Sequence, residues 1–203
     1  MNRLDNHTDP EPVWKILGDA IGDLAFDIGA NIGQSTKVLA QNFYRVIAFE
    51  PCQESYDILA EECDACVVPF FAAVSDYGGT VTLTETESHI QTGQLTTGEG
   101  LHWGPKIGTR DVPSVTIDEM TGLFGQPDFV KIDTEGHEVH VIRGGMSLFA
   151  SKAPEVLIEV HDKKNEQPIR DLLLGYHFTK LEHESLRPES EIRQNHFWLW
   201  GTV

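Results

Sequence analysis

Leu24-Ala-Phe-Asp-Ile-Gly-Ala-Asn-Ile-Gly-Gln-Ser-Thr36 sets the architecture of this chain. The stretch opens as a short apolar strand ending in an acid, turns on two glycines and enters a helix start. An α/β chain builds a nucleotide-cofactor cradle this way, because the turn brings backbone amides and a helix start to one point. The segments that follow repeat the alternation. Residues 45–50 form an apolar run closed by Glu50, residues 53–63 read as a helix, and residues 66–74 as a third strand. Short connections between such elements predict a parallel sheet with helices on its faces.

The rest of the chain extends this pattern. Residues 1–12 are a polar lead-in, and 13–20 read as a short helix. After a turn at 76–79, residues 80–84 alternate as a strand. Residues 85–110 lose all periodicity and become rich in Ser, Thr, Gly, His and Trp, the composition of a substrate loop. Strands are predicted at 112–115, 128–133 and 155–161. Helices are predicted at 116–124, capped through Thr116 and Glu119, and at 137–149 and 166–174. Residues 176–181 and 197–203 read as a final antiparallel pair. With no repeat or linker, residues 1–203 are expected to form one domain.

Composition narrows the function classes. The chain has 203 residues, 40% hydrophobic and 23% charged, in the range of a globular domain. Its 15 Lys+Arg against 32 Asp+Glu give a formal charge of -17, which argues against nucleic-acid or anionic-membrane partners. No apolar run has membrane-spanning length and no signal peptide is visible. Three cysteines, Cys52, Cys63 and Cys66, do not make a disulfide framework, and a cytoplasmic location is expected. Cys63 and Cys66 have CxxC spacing but lack the second pair of a zinc site.

The turn itself discriminates between cofactors. A dinucleotide needs G-x-G-x-x-G, whereas Gly29-Ala-Asn-Ile-Gly33 carries Asn31 at the second glycine. Asp27 before the turn would repel a pyrophosphate. It would attract the cationic amino and sulfonium groups of S-adenosylmethionine. The turn amides and helix start would take its carboxylate. Glu50, about twenty residues on, is placed to accept hydrogen bonds from ribose hydroxyls. An NAD-dependent oxidoreductase and a non-catalytic cofactor-binding protein are the rival readings.

Phe26-Asp-Ile-Gly-Ala-Asn-Ile-Gly33, Val46-Ile-Ala-Phe-Glu-Pro51 and Ala73-Val-Ser-Asp-Tyr-Gly-Gly79 carry a family resemblance. So do Val115-Thr-Ile-Asp118, Asp128-Phe-Val-Lys-Ile-Asp-Thr-Glu-Gly-His-Glu138, Arg143-Gly-Gly145 and Leu157-Ile-Glu-Val-His161. Over about residues 24–161 the chain resembles the FkbM family of class I S-adenosylmethionine-dependent methyltransferases. The resemblance implies a Rossmann-like α/β fold. Its sheet would be mostly parallel and seven-stranded, with helices on both faces and an antiparallel C-terminal strand. It implies O-methylation of a small molecule, sugar or glycan. Cofactor contacts are expected from Asp27, Gly29, Ala30, Asn31, Gly33, Thr36, Glu50, Pro51, Ala73, Val74 and Asp133.

A second polar set lies downstream. Lys131 and Asp133 share one face of a strand, as do Glu159 and His161 on the next, because the side-chain period is two. A lysine within Phe-Val-Lys-Ile needs a partner, and Glu159 is the expected one. His161 is the candidate general base for an acceptor hydroxyl, with Lys131 alongside; Asp133 would orient it, position the acceptor or line the methionine end of the cofactor. Glu135, His89, His102 and Trp103 are candidate acceptor contacts. A divalent metal on Asp133, Glu159 and His161 is the less favoured alternative, and no metal is predicted. Glu138 reads as a helix-dipole residue or a site residue. His137 and His140 are expected on the surface.

Overall fold

The computed structural model describes residues 11–86, 89–95, 106–182 and 196–203. Helix α1 (Glu11–Asp19) precedes β1 (Gly22–Ile28), α2 (Gln34–Leu39), β2 (Phe43–Phe49), α3 (Gln53–Glu62) and β3 (Val67–Phe70). A two-residue strand β4 (Ala73–Val74) leads to β5 (Gly79–Thr86), β6 (His89–Leu95) and β7 (Lys106–Val115). The chain returns through α4 (Ile117–Phe124) to β8 (Phe129–Ile132), α5 (Glu138–Arg143), α6 (Met146–Ser151) and β9 (Glu155–Val160). It ends with α7 (Glu166–Leu172), β10 (His177–Glu182) and β11 (Phe197–Thr202).

The main sheet has the order β10-β11-β9-β8-β1-β2-β3. Strand β11 runs antiparallel to both its neighbours, and the other pairings are parallel. This is the expected Rossmann-like architecture. Winding reverses between β1 and β8, and open α/β sheets bind ligands outside the strand ends at such a reversal.

Strand parity divides the core. Leu24, Phe26 and Ile28 of β1, Val130 and Ile132 of β8, and Val156 and Ile158 of β9 pack with residues of α4 to α7. Ala25, Phe129 and Leu157 belong to the opposite core, with Val13, Leu39 and Leu59 of α1, α2 and α3. A step of two along the strands then puts Asp27, Lys131 and Glu159 on the α1–α3 face. Apolar strand residues anchor this layer. Phe26 is fully buried and meets Phe49 edge-on with ring centroids 5.5 Å apart.

Several expectations are corrected. The predicted strand at 66–74 is two strands in two sheets, because Ala72 N donates to Phe70 O at 3.0 Å and turns the chain. The predicted helix at 137–149 breaks at Gly144–Gly145. A Cβ on Gly144 would lie 2.0 Å from Ser75 O, so the helix passes too close to that loop for any side chain. Residues 85–110 are not all loop: β4, β7, β5 and β6 form a second sheet in that order. The strands predicted at 80–84 and 112–115 belong to it, and Val81, Leu83 and Val112 form its buried apolar row with Ala73 and Cys52. The predicted cap of α4 is present as a reciprocal capping box between Thr116 and Glu119. Among the described residues, no helix is long and apolar enough to cross a membrane.

Phe26→Ala removes a fully buried ring from the core between β1 and the α4–α7 layer. It is expected to lower folding stability by about 3–5 kcal/mol, read from urea denaturation midpoints.

Candidate active site

The turn after β1 is pinned from beneath. Asp27 is fully buried; its Oδ2 accepts from Ser35 Oγ at 2.8 Å and Thr36 Oγ1 at 2.7 Å. Its Oδ1 accepts from Lys131 Nζ at 3.1 Å. Lys131 Nζ also donates to Gly29 O at 3.0 Å and lies 3.5 Å from Asp133 Oδ2. Burial opposes the ammonium charge, but Asp27 and Asp133 outweigh it and hold Lys131 above the usual lysine range. The expected Lys131–Glu159 pair is therefore corrected to Lys131–Asp27. Strand register explains why: Lys131 stands beside Asp27 on β1, whereas its β9 neighbour is Leu157. Lys131 thus braces the turn from a buried position. Asp27 and Thr36 are likewise buried beneath the turn, bonded to each other.

The turn backbone needs its glycines. Gly29 has φ 77° and its Cβ would sit 1.7 Å from Asp133 O. Gly33 has φ 87°, with Leu59 2.8 Å from a Cβ there. Asn31 adopts φ 51°, a conformation that Asn tolerates better than most residues. Glu50 ends β2 and lashes this turn to the next strand. Its carboxylate accepts from Asn31 N at 2.8 Å and Cys52 N at 2.7 Å. Burial raises its pKa from 4.5 to about 7, against the lowering effect of these two amides. Ala30, Ala73 and Val74 are buried, and Pro51 is half-buried. Ala73 and Val74 pair with β7, not with the main sheet.

The second cluster gathers at the ends of β8 and β9. His161 is 5% exposed. Its Nδ1 shares a 2.9 Å hydrogen bond with Glu138 Oε1. Glu138 is fully buried and also accepts from Gly136 N at 2.7 Å and Asn165 Nδ2 at 3.0 Å. On the other side of the ring, Nε2 lies 3.4 Å from Glu135 Oε2, 3.7 Å from Asp133 Oδ1 and 3.8 Å from Glu159 Oε2. Burial opposes protonation, but Glu135, Glu159 and Glu138 together hold the ring well above the usual histidine range. His196 meets it edge-on, with ring centroids 4.9 Å apart.

Glu138, not Asp133, orients His161. The sequence reading left Glu138 between a dipole role and a site role. A left-handed pair at Glu135 and Gly136 (φ 52° and 101°) turns the chain so that Glu135 and Glu138 approach the ring from opposite sides. His137 is corrected from the surface to the interior. It is 2% exposed and shares a 2.9 Å hydrogen bond with Ser75 Oγ. Burial lowers its pKa to about 4. His140 stacks on it and bonds Asp76 at 2.8 Å. His89 begins β6, while His102 and Trp103 lie outside the described residues.

Comparisons with known proteins identify the family. Residues 27–187 match the Methyltransferase FkbM domain. The chain belongs to the FkbM methyltransferase family. It is 26% identical over 171 residues to hexuronic acid methyltransferase AglP of Haloferax volcanii, covering 80% of this chain and 67% of that protein. It superposes on methyltransferase FkbM from Methylobacillus flagellatus with a TM-score of 0.61 and 15% identity. That match covers 88% of this chain but only 43% of the other. Aeropyrum pernix fibrillarin, solved with natively bound S-adenosylmethionine, superposes with a TM-score of 0.51 at 10% identity over 90% of this chain and 67% of that one.

Glu50 supplies a pH signature. Folding holds its proton more tightly than the unfolded chain does, so its contribution to stability falls as pH rises from about 4.5 to about 7. Above that window the cost is constant at roughly 3 kcal/mol. Urea denaturation across pH should show this slope in the wild type and its loss in Glu50→Gln.

Proposed function

We propose that this chain transfers a methyl group from S-adenosylmethionine to a hydroxyl of a sugar or glycan. The observation that carries the proposal is the pair of polar sets at the strand ends flanking the winding reversal, one built on Glu50 at the end of β2 and one on His161 after β9. The cradle fits the cofactor in two respects. Gly29 leaves no room for a side chain where β1 meets β8, and Glu50 keeps a buried carboxylate at the end of β2. Glu50 would accept the ribose hydroxyls, and the Gly29–Gly33 backbone with Asp133 would line the methionine end. Asp27, Thr36 and Lys131 would hold that backbone in place. S-adenosylmethionine supplies an activated methyl on a sulfonium, so the chain has to align the acceptor oxygen in line with it.

The His161 cluster would do this. Asp133 and Glu135 are its more open carboxylates, with side chains 27% and 24% exposed. An acceptor hydroxyl can bond to them while Glu138 fixes the ring behind. The carboxylates around His161 would take the hydroxyl proton as the oxygen is methylated. The 26% identity to a hexuronic acid methyltransferase favours a sugar acid or a related hydroxyl-rich acceptor.

Calorimetry with S-adenosylhomocysteine tests the cofactor side. Glu50→Ala is expected to weaken binding by about tenfold or more. NAD binding without any response to S-adenosylhomocysteine would overturn the proposal. His161→Ala is expected to cut methyl transfer to a hexuronic acid acceptor by about a hundredfold or more, with S-adenosylhomocysteine affinity retained.

A further inference from the structure

We infer that Asp133, Glu135 and His161 hold a divalent cation that binds the acceptor hydroxyl; the inference rests on the methyl-transfer reading of this site. One side-chain atom from each of these three residues lies within 4.8 Å of the others. Ligand atoms about 2.1 Å from a tetrahedral cation are about 3.4 Å apart. The observed separations from His161 Nε2 are 3.4 Å to Glu135 and 3.7 Å to Asp133, so small rotations bring all three onto one ion.

A second, independent feature points to a ligand. The His161 ring is more than nine-tenths buried, and its Nε2 is turned toward three carboxylates, Glu135 at 3.4 Å, Asp133 at 3.7 Å and Glu159 at 3.8 Å. Nδ1 is committed to Glu138, which is itself fixed by Gly136 N and Asn165. That carboxylate–imidazole arrangement leaves Nε2 as the atom aimed into the cluster, as it is behind histidine ligands of protein-bound metals. The ring could not swing away without breaking a buried bond at 2.9 Å.

The donor set is one imidazole nitrogen and two carboxylates. Such a set suits a first-row transition-series ion such as Mn2+ or Zn2+ better than it suits calcium, which takes oxygen ligands alone. Asp133 and Glu135 are the partly exposed members, so further coordination positions face the crevice. A hydroxyl bound there has a lowered pKa. Its proton passes to Glu159, 3.8 Å from the same Nε2. The freed oxygen pair forms the new O–CH3 bond, and the C–S electron pair stays on sulfur as a neutral thioether leaves. The cation also turns a surplus of negative charge into a site that an anionic sugar can approach.

Mn2+ is the probe, because it avoids the thiols of Cys63 and Cys66. Titration followed by electron paramagnetic resonance is expected to give one Mn2+ per chain with coupling to a single imidazole nitrogen. Glu135→Gln, at a partly exposed side chain, should weaken binding by tenfold or more, and His161→Gln should remove the nitrogen coupling. Glu138→Gln, which keeps all three ligands, should weaken binding roughly 10–100-fold. No saturable Mn2+ binding, binding unchanged in Glu135→Gln and His161→Gln, or full methyl transfer after exhaustive chelation would each overturn the cation site. Retained S-adenosylhomocysteine binding in that case leaves the methyl-transfer reading standing; its loss removes both.

Discussion

One buried ammonium organises this end of the molecule. Lys131 reaches from β8 to Asp27 on β1, to the carbonyl of Gly29 in the turn, and towards Asp133 at its own strand end. Breaking such a buried pair by removing one partner leaves a lone charge in the core, which is strongly unfavourable. The turn backbone, the strand pairing and the crevice floor are therefore coupled through a single side chain. Asp27 adds the next layer by bonding Ser35 and Thr36, which ties the first turn of α2 to the same point.

The two polar sets on either side of this brace differ in electrostatic design. Glu50 is a lone acid satisfied by two backbone amides and raised by burial. His161 is the opposite case, a buried base surrounded by acids. The first keeps a neutral or weakly charged acceptor near the cradle. The second concentrates negative charge at the mouth of β8 and β9, where a cation or a hydroxyl proton would be welcomed.

Much of this was legible in the sequence because it follows from parity and strand-end position. The glycines of the first turn, Glu50 at the end of β2, and the facing positions of Lys131, Asp133, Glu159 and His161 all follow from a period of two. The partners did not. Lys131 had two neighbouring strands to choose from, and only register places Asp27 opposite it. Glu138 looked like a helix-start residue, since nothing local reveals that Glu135 and Gly136 take left-handed conformations. The burial of His137 against Ser75 arises from a contact across 62 positions of chain. Of the small sheet, only the strands at 80–84 and 112–115 were legible, because the Ser-, Thr- and Gly-rich stretch between them carries no hydrophobic period.

Strand parity also sets where this chain can change length. Asp27, Lys131 and Glu159 share the α1–α3 face only because β1, β8 and β9 keep their present registers. One residue inserted into β8 or β9 would send the downstream half of this column to the opposite face. The β5–β6–β7 sheet carries none of that column, and it already accommodates register shifts near Thr84–Thr86. Insertions and deletions are thus excluded from the central strands and channelled into the small sheet. A lineage built on this fold can lengthen or trim the small sheet while the strands beneath the first turn stay fixed in residue count.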